Sequence, residues 1–162
     1  WHTLSLHDAL PISHVTALRD VTVKQVEYER DRMPENLYKR SLHVTGENER
    51  VQQAVEACTQ GELGSLRELF RASHESSRDC FENSCKELDL LVDMAATIEG
   101  VAGARLTGGG FGGCTLNIVR NECVREFKDR ISREYEQQTG SRVDVHTFTT
   151  ANGAAAQRPV SP

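Results

Sequence analysis

The sequence has no excess of positive charge and no long apolar run. Its 162 residues include 19 lysines and arginines against 24 aspartates and glutamates, which gives a formal net charge of −5. Nucleic acids and anionic membranes are bound through a basic surface, so neither is expected as a partner. No apolar stretch approaches the roughly 18 residues that a membrane-spanning helix needs.

Paired cysteines are missing too. The five cysteines form no CxxC pair, and the six histidines do not stand near them at the spacing of zinc ligands. The beginning of the chain lacks the basic start and the unbroken apolar stretch of a signal peptide. These absences predict reduced thiols in a cytoplasmic protein and no metal site.

The two ends of the chain are not expected to belong to the fold. Residues 1–13, WHTLSLHDALPIS, show no clear helical or strand period and resemble translated sequencing adapter. We interpret them as a non-native leader, with a native disordered terminus as the alternative. The chain length suits one domain, which we place at residues 14–155, followed by a flexible tail at residues 156–162.

The first half of the chain is predicted to be helical, because apolar residues recur at steps of three and four. Pro34 can open a long helix, and Gly61 is expected to end it. Two further helices are predicted before Gly100. The residues expected to share one face of the long helix are Leu37, Ser41, Val44, Asn48, Val51, Val55 and Cys58.

Short strands are predicted after Gly100, where the pattern changes. A helix lies between the second and third strands and is expected to end at Gly140. This order of elements predicts an α+β fold, with a ferredoxin-like antiparallel sheet and helices packed against it. The predicted strands are residues 104–107, residues 115–119 and a third around Val143 and Val145.

A glycine-rich segment stands between the first two strands: five of the six residues that follow Thr107 are glycine. Its GxGxxG pattern is not a dinucleotide-binding turn, because it leads into a strand instead of a helix. It also lacks the Gly-Lys-Ser/Thr of a Walker P-loop and the downstream motifs of a protein kinase.

Glycine has no Cβ atom and adopts positive φ angles, so a run of glycines can turn several N–H groups toward an anion. A plain tight turn is the alternative, although one or two glycines suffice for it. We therefore predict a loop close to a ligand. Its residues are Thr107, Gly108, Gly109, Gly110, Phe111, Gly112 and Gly113.

The same segment carries a family resemblance. Residues 105–115, RLTGGGFGGCT, resemble the third conserved motif of the galactokinases, which form a superfamily with homoserine, mevalonate and phosphomevalonate kinases. Residues 42–51, LHVTGENERV, resemble a second galactokinase block, and a third is resembled by residues 73–79, SHESSRD, with residues 81–82, FE, and residues 84–89, SCKELD. The chain departs from the family at Cys80, where an acidic residue is usual, and at Lys86, where proline is frequent.

The resemblance implies the C-terminal domain of a sugar kinase that phosphorylates galactose with ATP to give galactose 1-phosphate. In that family the N-terminal half supplies the phosphate loop, the catalytic aspartate and the Mg²⁺ ligands. No position here matches those motifs, so no catalytic and no metal-binding residue is predicted. The fragment is expected to need its own N-terminal domain, to be inactive alone, and to contribute residues 107–113 to the cleft for the sugar and ATP.

Two other functions stay open at this point. One is a non-catalytic, galactokinase-like sugar sensor that binds a partner, and the other is a kinase for a related sugar such as N-acetylgalactosamine. The Gly-Gly-Gly-Phe of the loop favours galactokinase itself, by resemblance.

Several single residues also carry expectations. Arg105 is expected to pair with an acidic neighbour in preference to clamping a phosphate. Residues 73–79 are expected to form a structural network or a solvated face in preference to lining the cleft. Glu47 and Arg50 are interpreted as a surface ion pair. Cys114 is expected to serve packing, because a nucleophile would need a nearby base that the sequence does not identify.

Overall fold

The computed structural model describes residues 15–151. The proposed leader at residues 1–13 and the proposed tail at residues 156–162 lie outside the described residues. Within the described part, no helix combines the length and the apolar character needed to cross a membrane.

The chain enters the fold through a short helix, α1 (Val23–Tyr28), which begins with a capping box. The Thr22 side chain accepts a hydrogen bond from the amide of Gln25, and the Gln25 side chain accepts one from the amide of Thr22. Val21, Val26 and Met33 form a small buried cluster that docks this segment on the next helix.

Two long helices follow as neighbours in space. Helix α2 (Glu35–Gln60) starts directly after Pro34 and ends at Gly61, whose φ of +73° is left-handed, as expected for a helix stop. Helix α3 (Leu63–Ser76) packs against α2 and against the sheet. A single π-helical turn (Ser77–Phe81) then leads toward helix α4 (Lys86–Ala96).

The predicted face of α2 is right at the start of the helix and wrong further along. Leu37 and Ser41 are buried, as expected, but the burial then shifts to Thr45, Gly46 and Ala57. A repeat of 3.5 residues drifts by about 20° per heptad from a straight α-helix, so one such set cannot face the same neighbour along 26 residues. The exposed members of the predicted set are Asn48, Val51, Val55 and Cys58.

The sheet in residues 15–151 consists of two antiparallel strands, β1 (Val101–Thr107) and β2 (Cys114–Val119). Their register runs from Thr107 opposite Cys114 to Val101 opposite Val119, with an irregularity between Val101 and Gly103. Gly103 is required by packing, because a Cβ atom there would lie 2.8 Å from the ring of Phe70 on α3.

The main core lies between α4, β1 and the last helix, α5 (Val124–Thr139). The α+β fold class is therefore confirmed, with helices packed against an antiparallel sheet. The buried members of this core are Val92, Met94, Ala95, Ile98, Val101, Ala104, Phe127, Ile131 and Tyr135.

The third predicted strand does not form. Residues 141–151 carry no strand, although Val143 and Val145 are partly buried and pack against the main core. Apolar residues at every second position indicate that alternate side chains are buried. An extended segment that packs on the core shows the same pattern without the hydrogen bonds of a strand. Helix α5 does end at Gly140, with a φ of +72°.

Candidate functional site

The glycine loop, residues 107–113, joins β1 to β2 and is mostly exposed, with Gly110 partly buried. Gly108, Gly110 and Gly112 have φ angles of +74°, +80° and +100°, which side chains with a Cβ rarely adopt. Phe111 is also left-handed, at +54°, and the residue is 66% exposed. Three of the five glycines are thus explained by backbone conformation.

The loop leaves most of its amide groups free. The amide of Phe111 donates to the carbonyl of Asn83 at 2.8 Å, and the amide of Gly113 donates to the carbonyl of Gly110 at 3.3 Å. Within residues 15–151, the amides of the remaining loop glycines form no backbone hydrogen bond. Such amides, set between left-handed residues, are the usual donors of an anion-binding nest.

The partner of the loop is the turn segment, residues 77–84, of which the sequence pointed only to residues 77–79 as a possible part of the cleft wall. Its Glu82 is left-handed, with a φ of +57°, and its Asn83 is only 8% exposed. Besides the bond from Phe111, the Asn83 side-chain amide donates to the carbonyl of Gly109 at 3.4 Å. A Cβ atom on Gly110 would lie 1.9 Å from the Asn83 carbonyl oxygen, so only glycine fits there.

Side chains of α2 hold the turn segment in place. Arg40 donates to the carbonyl of Cys80 and, through Nη2, to Glu82 at 2.7 Å. Lys39 Nζ lies 3.3 Å from the same carboxylate. The ring of Phe81 stacks on His43 with ring centroids 4.6 Å apart.

A buried histidine fixes the strand that leads into the loop. Nδ1 of His74 accepts a hydrogen bond from the amide of Leu106 at 3.3 Å, so its proton is on Nε2. That Nε2 lies 3.1 Å from the carboxylate of Asp89, although the contact is poorly aligned for a hydrogen bond. Burial lowers the pKa of His74, and the negative charge of Asp89 only partly opposes this shift. His74 of α3 is therefore neutral, and its ring connects α3 with β1 and α4.

Arg105 is engaged within the protein. Its Nη1 lies 3.5 Å from the Glu47 carboxylate, and its Nε donates to the carbonyl of Leu106 at 3.0 Å. The expected pairing with an acidic neighbour is thus present.

The Glu47–Arg50 pair is not the surface pair that its spacing suggests. Both side chains are only 20% exposed, and Ser73 also donates to Glu47 at 2.7 Å. Burial raises the pKa of Glu47, but the hydrogen bonds from Ser73 and Arg50 and the charge of Arg105 lower it more. The separation of three residues correctly predicts that Glu47 and Arg50 pair. It does not show that residues of α3 and β1 pack over the pair and partly bury it.

Other candidate features lie away from the loop or are absent. A groove of about 650 Å³ lies between α2 and α3, contains no loop residue and is lined by charged side chains of both signs. Cys114 is exposed, so the expectation that it serves packing is wrong. Among the described residues, no group of three or more His, Cys, Asp or Glu side chains could hold a metal ion.

Comparisons with known proteins agree with one another. The family model described as GHMP kinases C terminal matches residues 54–137. The galactokinase of Mannheimia succiniciproducens is 41% identical over 143 residues, which are 86% of this chain and 37% of that protein. The galactokinase of Actinobacillus pleuropneumoniae serotype 3 is 43% identical over the same shares.

A solved structure gives the same result. The crystal structure of Lactococcus lactis galactokinase complexed with galactose superposes with a TM-score of 0.75 at 35% sequence identity, covering 79% of this chain and 33% of that one. The chain therefore spans little more than a third of the length of the curated relatives named above.

Proposed function

The chain belongs to the GHMP kinase C-terminal family, and we therefore propose that it is the C-terminal part of a galactokinase. The whole protein would transfer the γ-phosphoryl group of ATP to galactose and release galactose 1-phosphate. The observation that carries this proposal is the 41% identity to a galactokinase over 86% of the chain. We propose a cytoplasmic location, and we propose the N-terminal domain of the same protein as the chain's partner.

The glycine loop is proposed to form part of the wall of the cleft that holds the sugar and ATP. Its free amides can donate hydrogen bonds to a phosphate or to sugar hydroxyl groups, and its missing Cβ atoms let a ligand approach the backbone. Thr107, at the end of β1, is exposed and adds a hydroxyl group at the entrance of the loop. Because Arg105 is bound to Glu47, we assign the loop, and not this arginine, to the ligand.

Mg²⁺ does not fit the residues at hand, since the described part of the chain contains no cluster of metal-binding side chains. We therefore derive no step from the metal at these residues. Phosphoryl transfer needs a phosphate cradle, a metal and a group that orients the attacking hydroxyl. We propose that the rest of the protein supplies all three and that this chain alone is inactive.

The test is a coupled assay of ADP release with the protein encoded by the complete reading frame. Galactose should support turnover, N-acetylgalactosamine should support far less, and the 162-residue chain alone should support none. Galactose binding without ADP release would overturn the kinase assignment in favour of a sugar sensor. Preferred turnover of N-acetylgalactosamine would overturn the assignment of the substrate.

A further inference from the structure

We propose that Asn83 is a positioning residue for the glycine loop. It holds the loop with two different groups, its backbone carbonyl and its side-chain amide, which bind Phe111 and Gly109 on either side of Gly110. This inference rests on the proposed function only in assuming that the loop binds a ligand. The contact between Asn83 and the loop involves no ligand.

The steric fit shows how closely the two segments approach. A Cβ atom on Gly110 would lie 1.9 Å from the carbonyl oxygen and 2.9 Å from the carbonyl carbon of Asn83. The neighbouring Gly108 and Gly109 have no such obstacle within 4 Å. The loop is thus held at one point, around Gly110, while its other glycines remain accessible.

Backbone strain marks the same contact. Glu82 precedes Asn83 with a φ of +57°, and Phe111 follows Gly110 with a φ of +54°. In residues 15–151, these two are the non-glycine residues with positive φ. Strained residues persist where the surroundings determine the conformation, and here each of them adjoins one side of the contact.

Asn83 itself cannot easily retreat from the loop. Its amide donates to the carbonyl of Ser77 at 3.2 Å, which closes the turn behind it. The carboxylate of Glu82, one residue earlier, is held by Arg40 and Lys39 of α2. Helix α2 therefore holds the turn segment, and the turn segment holds the loop.

The side-chain oxygen of Asn83 allows a positioning role to be distinguished from a stabilising role. Oδ1 of Asn83 is buried and has no hydrogen-bond partner, and such an acceptor destabilises a fold. Removing the side chain removes this unfavourable group together with the bond to Gly109. We therefore expect Asn83→Ala to loosen the loop without lowering the overall stability of the chain.

Asn117 provides a matched control. Its side-chain amide also makes one hydrogen bond, to Thr115 at 3.2 Å, and its Oδ1 is also buried without a partner. It lies on β2 and has no hydrogen bond to the loop. Asn117→Ala therefore makes the same chemical change next to the loop but outside the contact.

The experiment measures amide hydrogen exchange by NMR in the 162-residue chain, without sugar or nucleotide. Asn83→Ala should speed exchange of the Phe111 amide between about two- and tenfold, the range that corresponds to one ordinary hydrogen bond. Amides in the middle of α5 should exchange as in the wild type, and Asn117→Ala should leave the Phe111 amide unchanged.

An unchanged Phe111 amide in Asn83→Ala, or an equal acceleration in Asn117→Ala, would overturn the proposal. If Asn83→Ala does not fold, Asn83→Asp takes its place, since it keeps the size of the side chain and removes the donor to the Gly109 carbonyl. An unaltered loop in that variant would then count against the proposal. Because no ligand is present, the outcome is independent of the galactokinase assay.

Discussion

Alanine at Gly110 should destabilise the chain much more than alanine at Gly108. The two glycines have nearly the same φ, +80° and +74°, so the backbone strain of a new Cβ atom is matched. They differ in what that atom would meet: the Asn83 carbonyl at 1.9 Å from Gly110, and nothing within 4 Å of Gly108.

The magnitude follows from three contributions. A left-handed alanine costs about 1–2 kcal/mol, and the stiffer unfolded chain returns about 0.4–1 kcal/mol; both contributions apply to both variants. Only Gly110→Ala adds a clash with a buried backbone carbonyl, which cannot rotate away as a side chain would. The clash can be relieved only if the loop moves away from the turn segment. We therefore expect the free energy of unfolding to fall further, by about 1–3 kcal/mol.

Thermal unfolding followed by circular dichroism measures this difference. For a chain of this size, the additional loss corresponds to a melting temperature lower by about 2–12 °C in Gly110→Ala than in Gly108→Ala. Gly109→Ala is the baseline, because Gly109 is not left-handed and a Cβ atom there would meet nothing within 4 Å. Melting of the Gly108 and Gly110 variants within about 1 °C of each other would refute the claimed contact between loop and turn.

Two predictions concern the buried ionisable groups. Burial is the main cause that lowers the pKa values of His43 and His74 in the folded chain, so the unfolded chain takes up protons first. Stability measured by urea unfolding should therefore be intact above about pH 6.5 and fall as the pH drops below it, less steeply in His74→Asn. Glu47, whose pKa is lowered in the folded chain, contributes stability above its unfolded pKa and loses it as the pH falls. Glu47→Gln should cost about 1 kcal/mol or more at pH 7, the difference between charged and neutral hydrogen bonds, and this cost should shrink as the pH falls through the lowered pKa of Glu47.

Local sequence signals predicted the elements of this fold well. Gly61 and Gly140 end their helices in the left-handed conformation, as expected. The loop between two strands was also predicted, because glycine and alternating apolar residues report local backbone geometry. The third strand around Val143 was wrong, since a strand needs a paired neighbour and alternation alone does not show one.

The support of the candidate site could not be predicted in the same way. The contact joins Asn83 to the loop across 26 residues of sequence, and half of it is a backbone carbonyl that every residue type possesses. Glu47 and Arg50 were found as a pair, but their burial depends on Ser73 and Arg105 from two other elements. Such contacts arise from packing between segments and leave no periodic mark in the sequence.

The glycines that the fold does not explain are the best guide to the ligand. Gly108, Gly110 and Gly112 are left-handed, whereas Gly109 and Gly113 are not, and a Cβ atom on either would meet nothing closer than 3.5 Å. Alanine should therefore be tolerated at these two positions by the chain itself. If the bare backbone serves the close approach of a sugar or phosphate, Gly109→Ala and Gly113→Ala should keep wild-type melting temperatures and still lower kcat/KM of the proposed whole kinase by about tenfold or more. Full activity in both variants would mean that the loop is a connection between strands and does not contact the substrates.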